Sequence, residues 1–174
     1  VKALVDLKLP FNPRNYQVDA IRDGINDKRL VMLSPTGSGK SLIIYSLTQL
    51  GTTGRVLIVV PTTSLVEQMY KDFADYGYDV ESNCHKIYSG HEKNTDKRIV
   101  ITTWQSVYKL PRTWFQQFGA VFGDEAHGFK SKSLTSIMNK SDKASYRIGT
   151  TGTLDGTQTH KLVLEGLFGR VFNV

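Results

Sequence analysis

The sequence predicts an α/β fold, a parallel β-sheet sandwiched between helices, and three observations predict it. Short apolar runs rich in β-branched residues recur along the chain. Segments with helical spacing lie between them. A glycine-rich loop ending in Lys-Ser joins the first run to the helix that follows. Strands that are apolar throughout are buried on both faces, as in parallel sheets covered by crossover helices. Such sheets place their ligands at the carboxyl ends of the strands.

Taken in order, residues 30–34 (LVMLS) form the first run and 41–50 have helical spacing. Residues 55–60 (RVLIVV) are a second strand. Residues 63–76 read as a helix with Leu65, Met69 and Phe73 on one face. Residues 98–102 (RIVIT), 120–122 (AVF) and 146–150 are the third, fourth and fifth strands. The polar stretches 89–97 (SGHEKNTDK) and 128–133 (GFKSKS) read as solvated loops. No repeat or low-complexity block interrupts the alternation.

The chain has 174 residues, 40% hydrophobic and 22% charged, the balance of an ordinary globular domain with a buried core. No apolar run reaches the length needed to cross a bilayer, so no membrane partner is expected. The first residues show no signal-peptide pattern, and an opening on Val1 reads as part of a longer protein. Cys84 is the one cysteine, which excludes an internal disulfide and fits a cytoplasmic location. The Cys84–His85 pair has no further ligand at metal-site spacing and reads as a half-buried thiol. A net charge of +6 and a pI of about 9.4 favour a polyanionic partner, weakly by themselves.

Chemistry concentrates in two places. Ser34-Pro35-Thr36-Gly37-Ser38-Gly39-Lys40-Ser41 follows a strand and opens a helix, the context that a phosphate-binding loop needs. Gly37 and Gly39 allow the sharp turn that aims backbone N–H groups at phosphate oxygens. The helix start near Lys40 adds its positive dipole end. Lys40 supplies a cation for the β- and γ-phosphates of ATP, and Ser41 a hydroxyl for Mg²⁺. The second place is Asp124-Glu125-Ala126-His127, after the fourth strand. There Asp124 suits Mg²⁺, and Glu125 suits polarisation of an attacking water.

In these motifs the chain resembles the superfamily 2 helicases. Ser34 to Ser41 is similar to their motif I, with Ser34 in place of the usual first glycine, and Asp124 to His127 to a motif II of DEAH form. Arg14-Asn15-Tyr16-Gln17 resembles the element that precedes motif I, and Pro61-Thr62-Thr63-Ser64-Leu65 resembles motif Ia. Thr102-Thr103-Trp104-Gln105-Ser106 resembles the strand-contacting segment between motifs Ia and II, and Thr151-Gly152-Thr153 resembles motif III. Trp114, Phe115, Gln117, Phe118 and Gly119, with Gly152, Thr153, Leu154 and Gly156, narrow the resemblance to UvsW-type phage helicases, which remodel branched DNA.

The resemblance implies a RecA-like P-loop domain over residues 1–174, the first of two such domains, with ATP and Mg²⁺ as cofactors. It implies that Arg14 and Gln17 read the adenine, whose edge offers a donor and an acceptor to a side-chain amide. Pro35, Thr36, Gly37, Ser38, Gly39, Lys40 and Ser41 hold the phosphates in this reading. His127, Thr151 and Thr153 couple the nucleotide site to domain motion. Pro61, Thr62, Thr63, Thr103, Trp104 and Gln105 touch the DNA backbone, where hydroxyls and N–H groups bind phosphates without reading sequence. Trp104 either stacks on a base or sits in the core. Lys130 and Lys132 either touch the backbone or stay in a solvated loop.

The second RecA-like domain, with the arginine that stabilises charge on the γ-phosphate, is not found in this sequence and is expected as a partner in the same parent chain. A small domain is expected ahead of Val1. The function so implied is an ATP-dependent DNA helicase or translocase acting on forked or recombination intermediates. Three alternatives stay open: a DEAH-type RNA helicase, the motor of a restriction system, and a nucleotide-gated clamp. No glutamate here is followed by lysine two positions on, so a restriction nuclease of the usual pattern would lie outside the chain. Glu125 speaks against a pure clamp, which needs no water-polarising carboxylate.

Overall fold

In a computed structural model of the chain, which describes residues 9, 13–33, 39–52, 54–124, 131–151, 166 and 168–173, the run VLIVV forms strand β2 (Val56–Val60) and all five of its side chains are buried. Val56, Ile58 and Val60 enter one hydrophobic cluster, and Leu57 and Val59 enter another. This is the period of two expected of a strand covered on both sides. Burying a side chain of this size stabilises the fold by about 1.5–3 kcal/mol. A strand apolar at every position therefore gains from both faces.

The other described strands are β1 (Arg29–Leu33), β3 (Cys84–Ile87), β4 (Ile99–Thr103), β5 (Ala120–Gly123), β6 (Tyr146–Thr151) and β7 (Arg170–Asn173). They make one sheet in the order β3-β4-β2-β5-β6-β1-β7, and every neighbouring pair is parallel. On one face lie α1 (Asn15–Asp27), α2 (Lys40–Leu50), α3 (Thr63–Asp75) and the short α4 (Val80–Asn83). On the other lie α5 (Trp104–Val107), α6 (Arg112–Phe115) and α7 (Ser131–Lys140). No helix among the described residues is long and apolar enough to cross a membrane.

The five expected strands are present, each within a residue of its predicted bounds, and both expected helices form. Val66 joins Met69 and Phe73 on the buried stripe of α3, while Leu65 is half-buried beside them. The predicted loop at 128–133 is corrected at its end. Residues from Ser131 onward are helical, because Leu134, Ile137 and Met138 fall at i, i+3 and i+4 and dock on the sheet. Lys132 is thus an exposed residue of the first turn of α7. Cys84 is buried outright, at 2% exposure, because β3 lays it against the α3 side of the sheet. The loop at 89–97 has no regular structure, but its backbone is anchored: Trp114 Nε1 donates to Lys93 O (2.9 Å), and Arg55 donates to the carbonyls of Thr95 and Lys97.

Candidate nucleotide site

The site forms at the carboxyl ends of β1 and β5, on either side of β6. Gly39 caps α2 with φ 75°, a left-handed conformation that glycine adopts without strain. It is also crowded, since a Cβ there would lie 2.2 Å from Gln17 Nε2. Gln17 is 6% exposed and spans two elements. Its Oε1 accepts from the Arg14 N–H (2.8 Å), satisfying a backbone donor at the start of α1, and its Nε2 donates to Gly39 O at 3.4 Å. The element ahead of motif I is thereby tied to the start of the motif I helix. Arg14 Nη1 lies on the surface and donates to the Tyr16 hydroxyl (3.2 Å).

The first residues of α2 bring the chemistry. The Lys40 ammonium lies 4.0 Å from Asp124 Oδ1, and both side chains are nearly enclosed, at 11% and 8% exposure. Burial pushes the Lys40 pKa down, and the Asp124 charge pulls it back up. Asp124 follows β5 directly; its N–H donates to Val59 O (2.9 Å), and its Oδ1 accepts from Thr150 Oγ1. Ser41 Oγ is hydrogen-bonded to the Tyr76 hydroxyl at 2.6 Å. A buried ammonium beside a helix N-terminus suits phosphate oxygens. A carboxylate and a hydroxyl are hard oxygen donors of the kind that hold Mg²⁺. The residues present thus fit a magnesium–triphosphate pair.

Among the expected site residues, the structure brings Gln17, Gly39, Lys40, Ser41 and Asp124 to one edge of the sheet. Thr151 ends β6, fully buried and in register with Leu33 of β1. Ser34, Pro35, Thr36, Gly37, Ser38, Glu125, His127 and Thr153 lie outside the described residues.

The expected nucleic-acid set divides. Thr62 and Thr63 are exposed at the start of α3, where Thr62 Oγ1 accepts from Leu65 N (3.2 Å) as the N-cap. Exposed Gln105 donates from Nε2 to Pro61 O (3.2 Å), joining the ends of β2 and β4. Of the two readings of Trp104, the structure takes the core one. The residue is 8% exposed and packs in the core, tilted against the Tyr108 ring, so it is not an open stacking platform for a base. Thr103 is 4% exposed, with its hydroxyl bonded to Ser106 Oγ (2.7 Å), and belongs to the interior too.

Two residues at the site escape sequence reasoning. Tyr76 is 35 positions from its partner Ser41, so no local pattern signals it. Thr150 adjoins Thr151 but belongs to no motif; its signal is the strand register that sets it beside Asp124.

A parallel sheet whose carboxyl ends gather a lysine and a hydroxyl from the start of α2 and an aspartate from the end of β5 is that of a RecA-like domain. Solved structures agree. The T4 phage UvsW helicase superposes with a TM-score of 0.85 at 35% identity, covering 94% of this chain and 61% of that one. The Sulfolobus solfataricus SWI2/SNF2 ATPase core, solved with double-stranded DNA, superposes at 0.72 and 17% identity over 92% of this chain and 36% of that one, a likeness of fold alone. By sequence, the chain belongs to the ResIII family, described as type III restriction enzyme, res subunit, which its residues 10–156 match. It is 36% identical over 169 residues to the ATP-dependent DNA helicase uvsW of Enterobacteria phage T4, covering 93% of the chain and 34% of the relative. It is 32% identical over 143 residues to the DNA 3'-5' translocase XPB2 of Sulfurisphaera tokodaii, covering 80% of the chain and 30% of the relative. The chain thus spans about a third of the length of these curated relatives.

Proposed function

We propose that this chain is the ATP-binding first RecA-like domain of a DNA helicase or translocase that works on forked or recombination DNA. The observation that carries the reading is the enclosed pair Lys40–Asp124, 4.0 Å apart at the strand ends, with Ser41 beside it on α2. In this reading residues 35–41 cradle the phosphates, and Lys40 neutralises charge on the β- and γ-phosphates. Ser41 and Asp124 hold Mg²⁺, which shields the negative oxygens of the triphosphate when bound. Glu125 orients and polarises the attacking water. Gln17 and Arg14 read the adenine in this proposal. His127, Thr151 and Thr153 pass the state of the site to the second domain. Thr62, Thr63 and Gln105 form the exposed surface for a DNA backbone, beside Pro61. The 36% identity to a phage DNA helicase supports DNA over RNA as the partner.

Steady-state ATP hydrolysis by the full-length protein carrying this chain tests the reading, with no nucleic acid, single-stranded DNA, forked DNA and structured RNA compared. Forked DNA should stimulate most, and Lys40→Ala should abolish turnover. Stimulation by RNA alone would make it an RNA motor. Nucleotide binding with no stimulation by any nucleic acid would make it a gated clamp. The family description also admits a restriction motor, which a separate DNA-cleavage assay with a nuclease subunit would distinguish.

A further inference from the structure

The sheet order places β6 between the strands that bear the two motifs. Gly123 of β5 is in register with Gly149 of β6, and Thr150 with Met32 of β1. One step beyond the glycine pair, Asp124 and Thr150 stand side by side, at 5% and 1% exposure. Thr150 Oγ1 donates to Asp124 Oδ1, the oxygen that also faces Lys40. An ionised carboxylate only accepts, so the direction of this bond is fixed. Bonds to a charged group are among the stronger ones. The carboxylate is therefore held in one orientation by a strand outside motif II.

Ser41 is held in a similar way. Its Oγ meets the Tyr76 hydroxyl at 2.6 Å, and Tyr76 is 9% exposed, wedged by its ring against Tyr45. A serine hydroxyl has one proton and two lone pairs. If the proton goes to Tyr76, the lone pairs remain for a cation. Tyr76 is the C-cap of α3, whose N-cap is Thr62 of the expected DNA surface.

We propose that Thr150 and Tyr76 are positioning residues: their hydroxyls orient Asp124 and Ser41 toward Mg²⁺. Neither residue touches the metal. Each restricts a metal ligand to the rotamer that presents a lone pair, and each joins the metal site to an element that serves another purpose. Thr150 joins it to the strand that leads into Thr151 and Thr153, and Tyr76 joins it to the helix that starts at the DNA surface. This assignment rests on the nucleotide-binding reading above.

The test is Mg²⁺ titration of fluorescent ADP binding to the chain, with affinity in EDTA measured in parallel and thermal melts confirming the fold. Removing partners that orient metal ligands costs about 10–100-fold in metal affinity. Thr150→Val and Tyr76→Phe should each raise the Mg²⁺ midpoint by about tenfold while affinity in EDTA stays at the wild-type value. Thr150→Ser keeps the hydroxyl and should restore the wild-type midpoint; if Thr150→Val does not fold, Thr150→Ala is read in its place. A wild-type midpoint in Thr150→Val or Tyr76→Phe, or a Thr150→Ser as impaired as Thr150→Val, overturns the assignment. A wild-type chain that binds no nucleotide, or a Lys40→Ala variant that binds as well as wild type, overturns the nucleotide reading itself and this assignment with it.

Discussion

Gly39 meets two constraints at once. Its φ of 75° costs a residue with a Cβ about 1–2 kcal/mol, and the Cβ would also lie 2.2 Å from Gln17 Nε2. Gly39→Ala should therefore displace Gln17 as well as strain the loop. The expected outcome is a drop in nucleotide affinity of about tenfold, one decade being 1.4 kcal/mol, together with a lower melting temperature. Wild-type affinity in this variant would show that the loop and Gln17 move independently. Cys84 sets a second residue-scale expectation. Burial raises its thiol pKa from the ordinary 9.0 to about 12. Above pH 9 the unfolded chain loses this proton while the folded chain keeps it. The contribution is therefore complete below pH 9 and is lost as pH rises toward 12. The slope attributable to this thiol reaches about 1.4 kcal/mol per pH unit. Urea unfolding at pH 8 and pH 11 should show wild type losing more stability than Cys84→Ala, and equal losses would refute the assignment.

Among the elements, the ends of β5 and β6 rest on one ring. Gly123 and Gly149 are register partners, and Phe168 covers them both, 1% exposed; a Cβ on either glycine would approach the ring to 3.0 Å. The two glycines immediately precede Asp124 and Thr150 in their strands. Phe168→Ala should cost about 3–5 kcal/mol of stability, and Gly149→Ala about 1–3 kcal/mol through overpacking. Both are read from denaturant midpoints. A Gly149→Ala as stable as wild type would show that the ring moves aside freely. This scale also shows what the sequence made legible. β2, β4 and β5 could be read because continuous apolar runs of β-branched and aromatic residues have one economical explanation, burial on both faces. β3 could not, because CHKI is polar at its middle, where His85 and Lys86, on opposite faces of this edge strand, are only half-buried. The start of α7 was hidden by two lysines and two serines ahead of its buried stripe. Phe168 carried no signal, since its partners are brought to it by tertiary contact alone.

At the scale of the molecule, parallel topology gathers segments far apart in sequence onto one edge, and this decides which parts of the site could be read. Lys40, Ser41 and Asp124 were legible because each lies in a compact motif whose chemistry is local. Thr150 and Tyr76 were not, because their roles depend on strand register and on the packing of α3 against α2. Trp104 was ambiguous for a related reason: an aromatic side chain after a strand end serves core and ligand equally well, and its burial here decides for the core. The same topology has a consequence for catalysis. Among the described residues, every group found at the site approaches from the carboxyl ends of one sheet, so in the proposed function the nucleotide is held from one side. In the proposed function the cation that stabilises charge on the γ-phosphate comes from a second RecA-like domain. Such an arginine accelerates phosphoryl transfer by about 10³–10⁵-fold. The chain alone should therefore bind ATP and hydrolyse it slowly, while the full-length protein turns over faster by a factor in that range. Single-turnover hydrolysis by both, at equal occupancy with ATP, measures the ratio directly. Occupancy must be matched, because weak binding by the chain would otherwise imitate slow chemistry. Robust turnover by the chain itself, abolished by Lys40→Ala, would mean that this edge holds a complete catalytic set and that a second domain serves motion alone.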